Sequence, residues 1–512
     1  MSALNIDTKT TDSVIKTSAE DEKTDISNGE LIPYNEIDPV LSIKMNLVNE
    51  AINKLGFTSY HWKLFCLNGF GYAVDSLLAL LMSIVAGQVG FEFNPSYNRG
   101  GQIALYVGLL IGALFWGISA DLIGRKWAFN FSLVVASIFA ISAGAAPNYI
   151  GWCSFVALSG FGIGGNLVLD TTVFLEFLPS NKQWMVTLMA VWWGVGQTLA
   201  GFLAWAFIPN FSCASMETCT RSNNMGWRYL YFTSGTFVLV LSILRVTVIR
   251  FHETPKYLIC NGKDAEVAAL FQTLSTKYNR PCSLTLEELQ QHGTINLSTR
   301  GSFSFTKIGD HYRGLFATRK LGYSTVLVWL SWTLIGLAYS LFYVFLPEYL
   351  TSRGAQFGNP SPSVTWRNYV LAQICAIPGP ALAAFMCRLK IFGRKYTMVI
   401  GALTSMAFFF AYTAVRSDSQ NLAFNCVVSF SINIYYGTLY AYSPEVMPTA
   451  HRATGAGTAV AFNRIMGIMA AVVATYANTA TSAPIYVCAG AFVLLAVVSA
   501  LLPYEPQGAQ SG

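Results

Sequence analysis

Charge is scarce in this sequence. Only 11% of its 512 residues are Asp, Glu, Lys or Arg, whereas soluble domains carry about 25%. Apolar residues make up 53% of the chain, and a water-soluble protein of that composition would need a core larger than single domains build. The shortage of charge therefore excludes an ordinary soluble protein and indicates that much of the surface faces lipid.

Signatures of several other classes of function are missing as well. The net charge of +6 is scattered along the chain, without the basic, aromatic-rich patch that nucleic acid requires. No spacing of Cys and His predicts a metal site. The glycines within residues 160–165 lie in an apolar stretch rather than after a strand, where a nucleotide-binding loop would begin. There is also no paired nucleophile and base, so we expect no enzyme, no cofactor, no metal and no nucleic acid.

The beginning of the chain lacks the apolar run of a signal peptide. Its first fifty residues hold ten acids against four lysines. A segment this polar buries too little apolar surface to fold by itself. The sequence therefore predicts a disordered cytoplasmic tail over residues 1–60.

Long apolar runs fill most of the remaining chain. A membrane-spanning helix needs about 20 mostly apolar residues, and twelve windows satisfy this, six on each side of the polar segment Arg250–Lys320. The windows are Leu64–Gly87, Gln102–Ser119, Trp127–Ala146, Tyr149–Phe177, Trp184–Ile208, Tyr229–Ile249, Thr325–Leu346, Tyr369–Met386, Tyr396–Val415, Leu422–Tyr442, Thr454–Ala474 and Ala483–Leu502. We predict an all-α membrane protein made of a tail over 1–60, a six-helix half over 61–249, a central cytoplasmic loop over 250–320, a second six-helix half over 321–502 and a short cytoplasmic tail over 503–512.

Lysine and arginine indicate the orientation of these helices, because cytoplasmic loops carry an excess of both. The central segment holds ten basic residues. The loops after the second and eighth windows are also basic, and alternation of the helices places them on the same side. Their basic residues are Arg125, Lys126, Arg388, Lys390, Arg394 and Lys395. This side is predicted to be cytoplasmic, together with both ends of the chain.

The loop after the fifth window would then face outward. It contains Cys213, Cys219 and a glycosylation sequon that begins at Asn210. A disulfide and a glycan are expected there, since both belong to the non-cytoplasmic side of a membrane. The alternative, two unpaired thiols and an unused sequon, stays open.

The two halves contain an internal repeat. Gly124-Arg125-Lys126 follows the second window and Gly393-Arg394-Lys395 follows the eighth, an offset of 393 − 124 = 269. Glu176-x-x-Pro179 ends the fourth window and Glu445-x-x-Pro448 ends the tenth, and the offset is again 445 − 176 = 269. Two motifs with one offset indicate duplicated halves. In that architecture a substrate lies between the halves near the middle of the membrane.

The residues before the first copy complete a longer motif, Gly117-x-x-x-Asp121-x-x-Gly124-Arg125-Lys126. It resembles the loop signature of the major facilitator family. The resemblance implies the major facilitator fold, close helix approach at the glycine, and an acid that caps the next helix or pairs with the basic residues and so latches one conformation. The alternative is a basic loop that only fixes topology. The candidate latch residues are Gly117, Asp121, Gly124, Arg125, Lys126, Glu176, Arg394, Glu445 and Arg452. The second copy has Met386 and Lys390 where Gly and Asp would stand, so its latching role is in doubt.

Further motifs narrow the resemblance over residues 60–500. The sequence Glu253-Thr254-Pro255-Lys256 is similar to the Pro-Glu-Ser-Pro-Arg motif of the sugar-porter branch, with His252 in place of the first proline. Residues 160–179 and 442–452 resemble fungal relatives of the synaptic vesicle glycoprotein and nicotinate-transporter branch. The resemblance implies a carrier of sugars, aromatic acids or other organic ions. We expect a monomer in the plasma membrane, with a vacuolar or endosomal membrane as the alternative.

Ionisable side chains inside a membrane are costly and usually functional. Three lie well within the windows: Asp75, Asp170 and Arg464. Asp75 and Asp170 are predicted to couple transport to protons, because burial disfavours an ionised carboxylate. The alternative for Asp170 is a hydrogen bond within its own half. Arg464 would hold a substrate carboxylate or form a structural ion pair, whereas Arg245 and Glu176 are expected to reach the membrane interface.

Aromatic and amide side chains complete the predicted binding site, since they suit sugars and flat organic solutes. The candidates are Asn68, Asn166, Gln197, Trp329, Tyr339, Tyr343, Gln373, Asn433, Tyr436 and Arg464. Simple packing within the helices is the alternative for each aromatic residue. We predict a proton-coupled symporter of a small organic solute, a sugar or an organic acid, that works by alternating access in a lipid bilayer. The competing hypothesis is a non-transporting nutrient sensor or regulator built on the carrier fold.

Overall fold

The structure is a computed structural model. It describes residues 39–247, 252–281, 284–293, 305–352, 361–476 and 483–506, and their side chains apart from those of residues 123, 305–308 and 343–352. Within these ranges the secondary structure is helical and contains no β-strand.

Eleven of the described helical segments are long and apolar enough to cross a membrane. A twelfth, Gly393–Tyr412, has 20 residues, and Lys395 at its beginning makes it less apolar than the others. We number these twelve segments as spans in chain order. Spans 1 to 6 are Ser59–Phe93, Gly100–Ile123, Arg125–Ala145, Tyr149–Phe177, Ser180–Phe211 and Gly226–Thr247. Spans 7 to 12 are Arg319–Ser352, Pro362–Arg388, Gly393–Tyr412, Asp418–Glu445, Arg452–Tyr476 and Ala483–Leu501.

Two spans are interrupted. Span 5 consists of a 3-10 turn over Ser180–Lys182 followed by helices Trp184–Met189 and Val191–Phe211. Span 8 breaks between Pro362–Ala376 and Pro378–Arg388, because the ring of Pro378 cannot continue the preceding helix.

Small residues hold the first half together. Gly160 and Gly164 of span 4 lie against the backbone of span 2 around Leu105 and Leu109, at a distance that leaves no room for a side chain. Such close approach lets helices associate in lipid, where apolar surfaces gain little from mutual burial. The glycines of span 4 therefore serve helix packing, as the sequence indicated.

The halves meet along two helix pairs. Span 2 packs against span 11, and span 5 packs against span 8. The offset of 269 relates spans 2 and 8, and it also relates spans 5 and 11, so the two pairs are equivalents under the internal repeat. The end of the bundle that carries the central segment is called the inner end below, and the opposite end is called the outer end.

The predicted disordered tail over 1–60 is wrong for its last part. Pro39–Leu55 form a helix with one buried face. Its Lys44 pairs with Asp264 of the central segment at 2.5 Å, and its Asn53 accepts a hydrogen bond from the Ser180 backbone. Apolar residues at helical spacing were present in the sequence, but the surrounding charge obscured them. Residues 1–38 lie outside the described part of the chain.

The central segment contains several short helices. They are Pro255–Cys260, Asp264–Tyr278, Leu286–Gln291 and Phe305–Gly314. At the outer end, Cys213 and Cys219 form a disulfide. The nearby Asn210 lies in the last turn of span 5, exposed, with its side-chain amide donating to the Ala206 carbonyl. Its glycosylation stays a prediction.

Candidate functional site

A cavity lies between the two halves near the middle of the bundle. Spans 1, 2 and 5 line it from the first half, and spans 7, 10 and 11 line it from the second. Its lining residues are Tyr72, Tyr106, Ala190, Trp193, Gln197, Tyr339, Ser340, Ile432, Asn433, Tyr436, Gly437, Tyr440, Asn463 and Arg464.

Aromatic rings cross from one half to the other in this cavity. The ring centroid of Tyr440 in span 10 lies 6.0 Å from that of Tyr72 in span 1 and 6.2 Å from that of Trp193 in span 5. Tyr436, one turn earlier in span 10, stacks on Tyr440 at 5.8 Å. Rings in this arrangement form apolar walls with hydroxyl groups at their edges, which suits a flat solute with a few polar atoms.

Arg464 of span 11 brings a positive charge to the cavity. Its Nη1 atom donates to the Asn463 side-chain oxygen at 3.5 Å, while its Nε atom is buried without a hydrogen-bond partner in the described structure. Arg464 is partly buried, and no carboxylate among the described residues lies within 4.0 Å of it, whereas each fully buried arginine of the spans has one. The structure thus does not show the ion pair that was one alternative for Arg464.

Asp75 and Asp170 lie together beside the cavity, bridged by Asn166. The Asn166 Nδ2 atom donates to Asp170 at 2.8 Å and to Asp75 at 3.3 Å. Arg245 of span 6 also donates to Asp170, at 2.7 Å. The second carboxylate oxygen of Asp75 is buried and has no hydrogen-bond partner among the described residues. The two acids therefore differ: Asp170 is paired with a cation within its own half, and Asp75 is not.

The expectation for Arg245 was wrong. Its side chain is 4% exposed and points into the first half rather than toward the membrane interface. Glu176 departs from the same expectation, because its carboxylate is fully buried at the inner end. In both cases the attraction of a buried partner of opposite charge offsets the cost of removing the charge from water. The side chain therefore does not need to reach the interface.

At the inner end, the first copy of the repeated motif reaches across to the second half. Asp121 accepts hydrogen bonds from the backbone N–H and the hydroxyl of Thr454 at 2.8 and 2.9 Å, which caps the beginning of span 11. Gly117 packs at the same crossing, against the Ala453 carbonyl and Gly457. Asp121 also lies 3.6 Å from Arg125. The acid thus caps a helix of the opposite half rather than the next helix in the chain.

Glu176 is the centre of the charged contacts at this end. Arg125 pairs with one of its oxygens at 3.0 Å, and Arg452 of the second half pairs with the other at 3.2 Å. Arg125 additionally donates to the Thr449 carbonyl of the second half at 2.9 Å. Two arginines and one carboxylate, all buried, therefore join the two halves.

The second copy is confined to its own half. Arg394 donates to both oxygens of Glu445, at 2.9 and 2.6 Å. The described contacts of this bidentate pair lie between spans 9 and 10. Met386 and Lys390, which replace glycine and aspartate, have no role equivalent to the Asp121 cap; Lys390 is exposed.

Both copies share one further feature that the sequence did not predict. Glu253 accepts from the backbone N–H groups of Arg125 and Lys126, each at 3.3 Å. Glu505, after span 12, accepts from Arg394 and Lys395 at 2.9 and 3.0 Å. A carboxylate at a helix N-terminus satisfies backbone donors and complements the helix dipole.

Glycine is required in front of each capped helix. Gly124 and Gly393 have φ of +105° and +56°, a region in which side chains are strained. A Cβ atom at either position would also approach the capping carboxylate to less than 3 Å. The Gly-Arg-Lys motif therefore combines a turn, a buried arginine and a capped helix start, and the Lys126 side chain is exposed.

Lys256 of the Pro255–Cys260 helix lies buried beside these charges. Burial, followed by the repulsion of Arg452, lowers the pKa of its ammonium group to about 7, against the opposing attraction of Glu176. The group is thus able to change its charge within the physiological pH range.

The hydrogen bonds described between the halves at the outer end are neutral and exposed. The Tyr97 and Thr475 hydroxyls lie 3.2 Å apart, and the Trp205 indole N–H donates to Ser363 at 2.9 Å. Hydrogen bonds of this kind compete with water and contribute little. In the described structure, the cavity is therefore bounded by buried ionic contacts at the inner end and by weaker contacts at the outer end.

Residues 64–471 match the sequence model of the Major Facilitator Superfamily. The chain belongs to this superfamily. It is 40% identical over 499 residues to the MFS siderochrome iron transporter 1 of Ceriporiopsis subvermispora, covering 94% of both chains. It is 28% identical over 440 residues to the Niacin transporter NiaP of Acinetobacter baylyi, covering 84% of this chain and 90% of that one.

Its architecture is that of other major facilitator proteins. The xylose transporter XylE from E. coli, in a partially occluded inward-open conformation, matches with a TM-score of 0.64 at 16% identity, covering 87% of this chain and 99% of that chain. The predicted all-α membrane protein with two six-helix halves and the major facilitator fold is thereby confirmed, and the protein is a multi-pass integral membrane protein of a transporter family.

Within this major facilitator fold, half of the candidate substrate-binding residues line the cavity. These are Gln197, Tyr339, Asn433, Tyr436 and Arg464. Asn68 is fully buried outside the lining and has no hydrogen-bond partner among the described residues. Asn166 bridges the two acids, and Trp329 donates to the Gly455 carbonyl at 3.2 Å. Gln373 is not among the lining residues, and the side chain of Tyr343 lies outside the described part of the chain.

Several cavity residues of this major facilitator protein were not among the predicted binding residues. Tyr72, Tyr106, Trp193 and Ser340 line the cavity. Tyr72 precedes Asp75 by three residues and Trp193 precedes Gln197 by four, so helical spacing placed both on faces that already carried candidates. Ser340 likewise precedes the candidate Tyr343 by three residues, whereas Tyr106 had no such neighbour.

Proposed function

We propose that this protein is a secondary active carrier of a small, flat organic acid, driven by protons and working by alternating access. The observation that carries the proposal is Arg464. It is a cavity-lining cation without a carboxylate within 4.0 Å in the described structure. A cation held in a low-dielectric site is costly unless an anion compensates it. A solute carboxylate would supply that anion.

The rest of the cavity suits a flat ring, and the charge of Arg464 is what favours an acid over a sugar. Tyr72, Trp193 and Tyr440 offer ring faces and edges from both halves. Gln197 and Asn433 add uncharged hydrogen-bonding groups, beside the hydroxyls of five tyrosines and Ser340. The relative named a niacin transporter fits this chemistry, since niacin is a flat ring with one carboxylate. The relative named for siderochrome differs in its solute, so the proposal rests on the cavity and not on relatedness.

Uptake into proteoliposomes tests the proposal, with nicotinate, its uncharged amide nicotinamide and xylose as probes. We expect uptake of nicotinate but little of the other two. A hydrogen bond to a charged group contributes about 1.5–3 kcal/mol, so Arg464→Gln should lower nicotinate uptake by about tenfold or more. Arg367→Gln is the matched control, because Arg367 is an exposed arginine outside the cavity.

Two results would contradict the proposal. Equal uptake of nicotinate and nicotinamide, unchanged in Arg464→Gln, would remove the anion-binding role. Saturable binding of nicotinate without any uptake would favour the competing hypothesis, a sensor on the carrier fold.

Asp75 is the proposed proton-coupling group. It is 4% exposed, it receives a hydrogen bond from Asn166, and its other oxygen is buried without a partner in the described residues. Asp170 already has the cation Arg245. A buried carboxylate without a cation takes up a proton more readily than a paired one. Opening toward either side would then load or release that proton.

Asp75→Asn tests this assignment, because it keeps the shape of the side chain and removes its charge. Nicotinate should no longer accumulate against its gradient under an imposed pH difference, while exchange of labelled for unlabelled nicotinate continues. Asp170→Asn should instead reduce the yield of folded protein, since Arg245 would be left buried without its partner. Uphill uptake by Asp75→Asn at the wild-type rate would overturn the role of Asp75.

A further inference from the structure

The helix Phe305–Gly314 of the central segment is docked on the second half by two side-chain contacts. His311 Nδ1 lies 2.9 Å from His451 Nδ1, in the turn before span 11, with the rings edge to face at 4.9 Å. The next residue, Tyr312, shares a hydrogen bond of 2.9 Å with the Thr458 hydroxyl of span 11. A Cβ atom on Gly314 would collide with the His451 ring, so the end of the helix rests directly on that side chain.

This contact lies next to the charged groups that join the halves. A cavity at the inner end is lined by both histidines together with Asp121 and Arg125. Thr449, whose carbonyl accepts from Arg125, belongs to the same turn as His451. Movement of the Phe305–Gly314 helix would therefore shift the Thr449–His451 turn, to which Arg125 of the first copy of the motif is hydrogen-bonded.

The number of protons on the two rings decides whether this hydrogen bond can form. A contact between two Nδ1 atoms needs one hydrogen, donated by one ring to the lone pair of the other. It is satisfied when the pair is neutral, and it is stronger when one ring is an imidazolium donor. When both rings are protonated, neither Nδ1 has a lone pair, and two cations face each other. Histidine is the side chain whose charge changes between about pH 5 and 8.

We propose that His311 and His451 form a proton-operated clasp, which holds the Phe305–Gly314 helix under the second half and releases it when both rings are protonated. Release would loosen the turn at Thr449–His451 and so favour opening of the inner end as the pH on that side falls. The clasp is a regulatory device that depends neither on the identity of the solute nor on Asp75.

Charged and titratable groups from several elements surround the pair. On the same helix, Asp310 and Arg313 lie 3.7 Å apart. Spans 2 and 3 contribute Asp121 and Arg125, and Arg452 follows His451 in the chain. The facing helix Pro255–Cys260 contributes two further titratable groups to the same cavity, Tyr257 and Cys260. Two carboxylates and three guanidinium groups therefore lie around the pair.

Hydrogen–deuterium exchange of the full-length protein in nanodiscs tests the clasp. Amide exchange is compared at pH 7.5 and pH 5.0 after correction for the chemical exchange rate. We expect the amides of residues 305–314 to exchange about tenfold or more faster at pH 5.0, since loss of the contact exposes a marginal helix. The helix Asp264–Tyr278 is the internal control, because it is docked by the Lys44–Asp264 pair and contains no histidine.

His311→Gln and His451→Gln separate protonation from docking. Glutamine keeps one donor and one acceptor, but the variant pair can never carry two positive charges. Each variant should therefore show similar exchange of residues 305–314 at both pH values. The proposal is overturned if wild-type exchange is the same at pH 7.5 and 5.0, or if both variants keep the full pH response.

Discussion

The two copies of the Gly-Arg-Lys motif hold the inner end in different ways. In the first copy, Arg125 and Asp121 contact groups of the opposite half, and Glu176 pairs with an arginine from each half. In the second copy, Arg394 and Glu445 pair within one half. The comparison shows that duplication preserved the arginine–glutamate pair of each half, while only one copy joins the halves.

The difference follows from three positions related by the offset of 269. Gly117 and Asp121 of the first copy correspond to Met386 and Lys390. Arg452, which binds Glu176 from the other half, corresponds to Gln183, since 452 − 183 = 269. The second copy therefore lacks the small residue, the capping acid and the second arginine together. The predictions below alter these positions or the charged groups that surround them.

The largest effect is expected from Glu176→Gln. It leaves Arg125 and Arg452 buried without their shared carboxylate, and loss of one buried partner costs about 3–5 kcal/mol. Because the two arginines belong to different halves, the halves should separate at the inner end. Alkylation of Cys260, which lines the inner cavity, should become at least about 100-fold faster in a protein whose cysteines other than Cys213, Cys219 and Cys260 are replaced.

Glu445→Gln is the matched comparison for that prediction. This substitution removes an ion pair within the second half, because Glu445 binds Arg394. The yield and thermal stability of the protein should therefore drop, while alkylation of Cys260 changes little. A similar acceleration in both variants would show that the second copy also closes the inner end.

The next effect concerns the capping acid. Asp121→Ala removes two hydrogen bonds to Thr454, and hydrogen bonds to a charged group contribute about 1.5–3 kcal/mol each. Cys260 alkylation should accelerate by about tenfold or more, and nicotinate exchange should slow. Lys390→Ala at the equivalent position should alter either rate by less than about twofold, as for other exposed substitutions. Equal losses at both positions would break the comparison.

A smaller effect is expected from rebuilding the missing arginine. The internal repeat relates Gln183 to Arg452 and Glu445 to Glu176. The arginine introduced by Gln183→Arg in the first half should therefore pair with Glu445 in the second half, as Arg452 pairs with Glu176. A cation shared between halves should hold the inner end closed more firmly and slow Cys260 alkylation by about threefold to tenfold, which is about 1 kcal/mol. Faster alkylation in this variant would mean that the repeat does not extend to this contact.

The smallest effect concerns Lys256 and pH. The pKa of this group is lowered to about 7 in the folded protein, while the unfolded chain holds the proton until about pH 10.4. Between these values the unfolded state binds more protons, so the stability of the wild type should rise with pH. Lys256→Met should be more stable than the wild type at pH 7, by a few degrees in Tm, and the difference should shrink toward pH 9.5. A difference that stays constant from pH 7 to 9.5 would contradict the lowered pKa.

The fold was predictable from the sequence because membrane helices and the repeat leave strong local signals. The apolar windows gave the twelve spans, and the offset of 269 related the halves. The binding residues were harder to predict, because helical spacing does not say which face of a span meets the cavity. Gln197, Asn433 and Arg464 line it, whereas Trp329 packs against span 11.

Partners distant in the chain account for the rest of the differences. The Arg245–Asp170 pair joins residues 75 apart, and Arg452 reaches Glu176 across 276. The sequence around each of these four residues does not show that its charge has a partner. The short helix Pro39–Leu55 was missed for a related reason, since its buried face is covered by segments far along the chain.

A distance measurement tests most directly whether the first copy alone joins the halves at the inner end. Spin labels at Lys126→Cys and Lys390→Cys, both exposed at that end and in different halves, report its opening by double electron–electron resonance in a protein without other unpaired cysteines. We predict that Glu176→Gln shifts the distribution to longer distances and that Glu445→Gln leaves it at the wild-type distance. An equal shift in both variants, or none in Glu176→Gln, would contradict this account.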